Sequence, residues 1–483
     1  MANYSKKKFK NKNKIKKEEK NLELADSRWY TSPFFVLGII FVVIAIATSR
    51  LLAFDNDQYF LVATGRDIIK NGISHINNMT WLKGLEIVVQ QWLYAIVFAF
   101  IYDHTGRFSG IIICAISMAL AFLALYKVAR LRNNQEKSFF IAGLFVLCSA
   151  YILGPRPTLL TEALLLWQIY ICESGKNKWW IPLLVLLESN LHSSYIIFHF
   201  VYLLPYIVPG ITKWLEDNHD FKYIKIIPAM IIAAFCNPYG IKGTLYLFYS
   251  YYIVENNIIA ELQPFNFSRL DIIIAFIICI LITIMLVTKF REGIPSAAFY
   301  IYIGTMTMLI IFPVNKNVFF MSIGLLPVTS FLFKDIKRVK NYRIEVVLAI
   351  ILMVVVIVTT LPKKINLIDE SYIPKTINYL KKAKPKRMFT PFNVGAVVEF
   401  SGMKCFIDSR PELFLKKING KYDYYLDEDK MCSGTDNDRD KLQKKYNFDY
   451  YLIEDENTEL IRWAEENCEY IMNEKTIYLY KYK

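Results

Sequence analysis

Uninterrupted apolar stretches dominate the chain from residue 33 to residue 361 and are missing on either side. They fall near 33–54, 87–102, 108–127, 138–153, 158–172, 179–189, 194–209, 224–236, 271–289, 296–312, 317–333 and 344–361. The runs are continuous rather than alternating, which predicts helices and not strands. A bilayer core is spanned by about 20 apolar residues, and in lipid a helix satisfies its own backbone groups. The pattern therefore predicts an all-α polytopic membrane bundle of about 11 to 13 transmembrane helices, the shorter runs tilted, re-entrant or buried in the bundle.

Residues 363–483 read differently. They are charged, with short apolar pieces. Val394–Phe400, Lys404–Ile407, Phe448–Glu454 and Thr476–Tyr482 read as strands or short buried elements, and Asp440–Lys445 and Thr458–Glu466 as helices. Such alternation predicts a small α/β domain. The expected division is a basic tail over 1–32, a transmembrane domain over 33–362 with a first outer loop at 55–90, and an extracytoplasmic domain over 363–483.

Composition supports the membrane reading: 54% of residues are hydrophobic and mean hydropathy is +0.29. The net charge of +14 is concentrated in the lysine-rich first 20 residues. A spanning run follows that tail, so it reads as a cytoplasmic segment obeying the positive-inside rule and not as a nucleic-acid arm. The basic loop 334–343 belongs on the same side, which puts everything after Pro362 outside, in a bacterial cell membrane. An inside N-terminus and an outside C-terminus need an odd number of crossings, so one of the runs in 87–127 is expected not to cross. Arg156, His192, Asn237 and Glu261 then fall on the outer side with Asp55 and Asp57. The eight cysteines show no CxxC spacing, and no disulfide is predicted.

Charged groups among apolar runs are costly and mark candidate sites. Asp55 and Asp57 follow the first run at i, i+2 and share one side of an extended segment. They suit a general base or oxygen ligation of a divalent cation, Mg or Mn; equally, they suit a helix end at the interface. Arg66 in Thr64-Gly65-Arg66 offers a bidentate fork to a phosphate, or sits on an interfacial helix with Tyr59, Phe60 and Trp81 as anchors. Arg156, between two prolines, suits the phosphate of a lipid carrier, or snorkels to the head groups. Glu188 and His192 are i, i+4 and would share a helix face. Asn237-Pro-Tyr-Gly240 reads as a turn. Glu261 is a second candidate carboxylate, and Lys316 a further phosphate contact or an ordinary loop charge.

Taken in order, these residues resemble a known family. Asp55 and Asp57, Thr64-Gly65-Arg66, Asn71-Gly72, Gln91-Trp92-Leu93, Arg156-Pro157, Asn190-Leu191-His192, Asn237 to Gly240 and Ile407-Asp408-Ser409-Arg410 are similar to a poorly characterised bacterial group of multi-spanning proteins related to GT-C glycosyltransferases. The resemblance covers roughly residues 50–415. It implies a GT-C fold, a polyprenyl-phosphate-linked sugar as donor, transfer on the outer face to an envelope acceptor, and Asp55 or Asp57 as base or metal contact. The family's Trp-Trp-His is replaced by Tyr59, Phe60 and Leu61, so that histidine is missing, and Gln91 stands where many members have Glu. The alternative is a non-catalytic or transport protein for lipid-linked envelope precursors, which would keep the arginines and dispense with Asp55 and Asp57.

Overall fold

The computed structural model describes residues 32–48, 54, 56–208, 223–251, 263–290, 293–336 and 373–483, with scattered positions between 347 and 358. The basic tail, Asp55, Glu261 and most of the last apolar run lie outside them.

The helical part runs through α1 (Pro33–Thr48), α2 (Asn56–Asn71), α3 (Trp92–Thr105), α4 (Phe108–Arg130), α5 (Gln135–Cys148), α6 (Pro157–Ser174), α7 (Trp180–Leu191), α8 (Ile196–Val201), α9 (Ile227–Phe235), α10 (Gly240–Tyr251), α11 (Leu270–Thr288), α12 (Ser296–Ile311) and α13 (Phe320–Leu332). Helices α1 and α6 begin on a proline, whose missing N–H falls where no intrahelical bond is due. Asn134 caps α5 by accepting from the Lys137 amide at 3.2 Å.

Among apolar helices, close approach holds the bundle, because lipid competes for the same apolar contacts. Helix α1 lies on α5 where glycines meet: a Cβ on Gly143 would sit 2.4 Å from the Gly38 carbonyl. Helix α4 packs on α6, and α7 on α9. Helix α13 is buried along its whole length, with Pro327 inside it, and is central to the largest apolar cluster.

Two helices among the described residues are long and apolar enough to cross a membrane, Phe108–Arg130 and Leu270–Thr288. The other apolar helices are 10–17 residues long. The expectation of about 11 to 13 spanning helices is thus met, by length and composition, at two. Turns break two of the remaining runs. The 138–153 run leaves α-helix at Cys148 for a 3-10 turn over Ala150–Ile152, and the 194–209 run opens on a 3-10 turn over Ser193–Tyr195.

The C-terminal part carries α14 (Pro374–Ala383), β1 (Met388–Phe389), α15 (Gly395–Phe400), α16 (Tyr424–Ser433), α17 (Asp436–Tyr446), β2 (Tyr450–Glu454), α18 (Thr458–Asn467), β3 (Cys468–Glu474) and β4 (Ile477–Tyr482). The sheet order is β1-β2-β4-β3, with β1 parallel to β2 and the other pairs antiparallel. Tyr451 faces Tyr480 across β2 and β4. A reciprocal capping box between Thr435 and Asp438 starts α17. Strand β3 was not expected, and 394–400, expected as a strand or short buried element, is the helix α15. Its glycine explains the difference: a Cβ on Gly395 would meet the Ile407 carbonyl at 2.0 Å, so α15 packs flat on that backbone instead of joining the sheet.

The 55–90 segment opens as the helix α2, which packs on α3 at Gly65, where a Cβ would stand 2.0 Å from the Ala95 carbonyl. Its other side packs on α15. One apolar cluster joins Tyr59, Phe60 and Phe98 to Val397, Val398 and Leu479; another joins Ile68, Leu82 and Leu85 to Phe406, Phe414 and Tyr451. A bridge between Thr80 and Cys405 ties the two segments by backbone, with Trp81 N donating to Cys405 O at 3.1 Å. At about 1.5–3 kcal/mol per fully buried large apolar side chain, this shared core is a firm attachment.

Candidate functional site

Asp57 sits in the first turn of α2, where the helix dipole favours an anion. Its Oδ2 pairs with Arg156 Nη2 at 3.0 Å. Arg156 precedes Pro157 and is therefore held extended, at φ −123° and ψ 151°, at the start of α6. The proline that begins the helix thus also fixes the arginine.

The pair opens on a cavity of about 180 Å³. Its wall from the helical part is the Ile87–Gln91 turn, Arg156 and His192; its wall from the C-terminal part is Ser409, Arg410 and Glu412. Gln90 is fixed at both ends: its carbonyl accepts from the Ser193 amide at 3.2 Å, and its side chain accepts from the Ser194 hydroxyl.

His192 caps the C-terminus of α7, its amide donating to Glu188 O at 2.8 Å. It is not on a helix face with Glu188, yet the two are joined. The Thr161 hydroxyl donates to Glu188 Oε1 at 2.7 Å and lies 3.0 Å from His192 Nδ1. Its one proton is committed to Glu188, so it accepts from His192, which puts the imidazole proton on Nδ1 and leaves Nε2 as an acceptor. Burial pushes the imidazole down to about 3, with the Lys316 charge acting the same way, so the ring is neutral. Glu188 itself is fully buried and faces His199, with His199 Nε2 3.9 Å from its Oε2.

Arg410 reaches the cavity from the other side. It is clamped by Asp408, Nε to Oδ1 at 2.8 Å and Nη2 to Oδ2 at 2.5 Å, and by Glu399 Oε1 at 2.9 Å. Its guanidinium lies 4.7 Å from the Phe60 ring centroid, over α2. Nη1 has no hydrogen-bond partner among the described residues. Burial and the neighbouring Asp408 push the Glu399 carboxyl well above the usual range. A protonated Glu399 leaves Asp408 and Arg410 as a neutral buried pair. Glu399, Cys405 and Asp408 stand close enough to share a cation, but Arg410 already supplies the positive charge there. Burial also raises Glu412 to about 7.

The other candidates lie elsewhere. Arg66 is nine positions beyond Asp57, about two and a half turns at 3.6 residues per turn, and so on the opposite face of α2. There it pairs with Asp103 at 2.5 Å and covers the Phe400 ring at 4.9 Å. Lys316 sits behind His192, 5.9 Å from the Tyr195 centroid, and burial lowers it to about 8. Asn237 holds its own turn, accepting from the Tyr239 amide at 3.0 Å. Asn190 links Trp92 to the Cys236 carbonyl. Glu412 was missed by sequence reasoning, since a carboxylate in a charged segment carries no signal.

No family model matches the chain, and no curated protein matches it. Solved structures of the oligosaccharyltransferase from the archaeon Archaeoglobus fulgidus are similar to it in chain course. The apo form aligns at 12% identity over 94% of this chain and 74% of that one, with a TM-score of 0.48. The form tethered to an acceptor peptide aligns at 11% identity over 94% and 75%, with a TM-score of 0.48. The complex with an inhibitory peptide and a dolichol-phosphate aligns at 10% identity over 92% and 74%, with a TM-score of 0.47.

Proposed function

We propose that this cavity transfers a glycosyl group from a polyprenyl-phosphate-linked donor to a hydroxyl of an envelope acceptor, on the outer face of a bacterial cell membrane. The observation that carries the reading is the Asp57 carboxylate facing two guanidiniums, with Glu412 beside them, where apolar helices meet a polar domain. Asp57 is braced by Arg156, and Arg410 Nη1 still has a hydrogen bond to give.

Asp57 takes the acceptor proton as the hydroxyl oxygen bonds to the anomeric carbon. The bond from that carbon to the phosphate oxygen breaks, and the negative charge moves to the phosphate. Arg156 and Arg410 bind that phosphate, guanidinium being matched to it in shape and charge. His192 accepts from a sugar hydroxyl through Nε2, with Thr161 and Glu188 holding its tautomer. Glu412, protonated up to about pH 7, donates a hydrogen bond to the departing phosphate. Among the described residues the donor set does not fit a divalent cation, since Asp57 is engaged by Arg156 and a second guanidinium faces the same space. No step is routed through a metal.

The test is transfer of radiolabelled sugar from polyprenyl-phosphate sugars in membranes holding wild type or Asp57→Asn. Label transfer that the variant abolishes supports the reading. Transfer that survives in the variant overturns the role of Asp57, and binding of the lipid donor without transfer in either protein favours a carrier.

A further inference from the structure

A second concavity lies on the far side of the loop that lines the cavity. The 75–87 segment doubles back on itself, with Asn77 N donating to Leu85 O at 2.8 Å and Ile87 N to His75 O at 3.0 Å. Ile87–Gln91 face the cavity, while Ile76–Gly84 form one wall of a cleft of about 990 Å³. Among the described residues Lys83, Lys386, Arg387, Lys404 and Lys445 line this cleft, and no carboxylate does. Lys83, Lys386 and Lys404 are exposed, and their ammonium groups have no acidic partner among the described residues. Cations gathered without counter-charge repel one another, which favours binding of an anion.

The rim is built and not merely basic. Asp427 is buried, with 4% of its side chain exposed, and three rim groups converge on it. Tyr422 and Tyr446 donate their hydroxyls to it at 3.0 and 2.5 Å, and Lys445 at 2.7 Å. Trp81 is held in the floor by its indole N–H on the Met388 carbonyl at 3.0 Å and by stacking on Phe406. Fixed aromatic faces beside an exposed amide (Asn78) and ammonium groups without acidic partners are the groups that meet sugar rings and their charges. A neighbouring cleft shares Asn78 and Lys404 and extends the basic track to Lys70 and Lys381. Its acids are engaged, Asp67 by Asn71 and Glu399 by Arg410.

We propose that this track binds an extended anionic glycan, carrying phosphate or carboxylate at intervals along its length, as the acceptor polymer of the transfer. That role rests on the proposed glycosyl transfer; the binding itself does not. A flat lipid surface does not fill a concave cleft, and the shared loop ties the occupant to the reaction cavity.

Full-length protein in detergent is titrated with fluorescent poly(glycerol phosphate), hyaluronan fragments and neutral dextran, as wild type and as Lys83→Gln/Lys386→Gln/Lys404→Gln. Either polyanion is expected to bind, more weakly at high salt, with dextran inert and the triple variant about 10-fold weaker. Equal binding by variant and wild type overturns the proposal. So does binding to phosphatidylglycerol vesicles alone, or equal binding of single-stranded DNA, which would mark a generic basic face. A Lys83→Gln single variant with an unchanged thermal midpoint guards against misfolding. Because binding is read without donor, its failure is distinct from failure of transfer, and loss of transfer with intact binding leaves the cleft assignment standing.

Discussion

Two aspartate–arginine pairs meet at one cavity, the first lining it with both members and the second with its arginine alone, and they do opposite things. Asp57 and Arg156 keep 42% and 19% of their side chains exposed, while Asp408 and Arg410 keep 0% and 5%. The first pair is partly exposed, so the ion pair itself contributes little to stability. The second is dry, bidentate and shared with Glu399, so loss of one partner strands a buried charge. In the proposed mechanism chemistry falls to the first pair and architecture to the second, with Arg410 lending its spare nitrogen to the first task.

Arg410→Ala should separate the pairs most sharply. We expect it to cost about 3–5 kcal/mol of stability, read as a large fall in thermal midpoint, with the C-terminal part becoming protease-sensitive. A midpoint within a degree of wild type would contradict the buried-clamp account. Asp57→Asn should do the reverse, lowering transfer by about 10²–10⁴-fold at an unchanged midpoint. Thr161→Val removes the hydroxyl that orients His192, and a loss of about 10-fold is expected from one misplaced hydrogen bond; Thr161→Ser should restore it, whereas a purely steric role would leave Ser impaired.

Glu412 gives a smaller, pH-dependent effect. Its folded value of about 7 lies above its ordinary 4.5. A raised carboxyl contributes stability that is full below pH 4.5 and lost as pH rises through 7. Wild type should therefore lose thermal stability relative to Glu412→Gln between pH 5 and pH 8, and the alkaline limb of activity near 7 should flatten in the variant. Parallel curves for the two proteins would remove Glu412 from the cavity chemistry. Least of all, EDTA should leave transfer unchanged; a loss restored by Mg²⁺ or Mn²⁺ would bring a cation back to Asp57.

Much of this was legible because charge is conspicuous in apolar sequence. Asp57, Arg156 and His192 stood out for that reason, and they share one cavity. The helices followed the apolar runs, although among the described residues most of them are shorter than a spanning length. Arg66 was read with Asp57 because it is near in sequence, but a nine-residue step on a helix reverses the face. Glu188 and His192 were joined through helix spacing, whereas Thr161, 27 positions before Glu188, makes the link. In the C-terminal segment charge is common and carries no such contrast: Asp408 and Arg410 entered only through the family resemblance, and Glu412 did not register. Strand β3 hid because its residues are largely exposed at the sheet edge, which blurs the alternation.

The apolar cluster that joins α2 and α3 to α15 and β4 also sets an order of assembly. Tyr59 and Phe98 are made on the ribosome hundreds of residues before their neighbours Val397 and Leu479. Contacts so distant along the chain form slowly, so the growing protein holds an apolar surface without its mate until α15 and β4 have been made. A chain without β4 would keep Asp57 on α2 but lose Leu479 from that seam, so the attachment of the C-terminal part depends on a strand made long after the helices it meets.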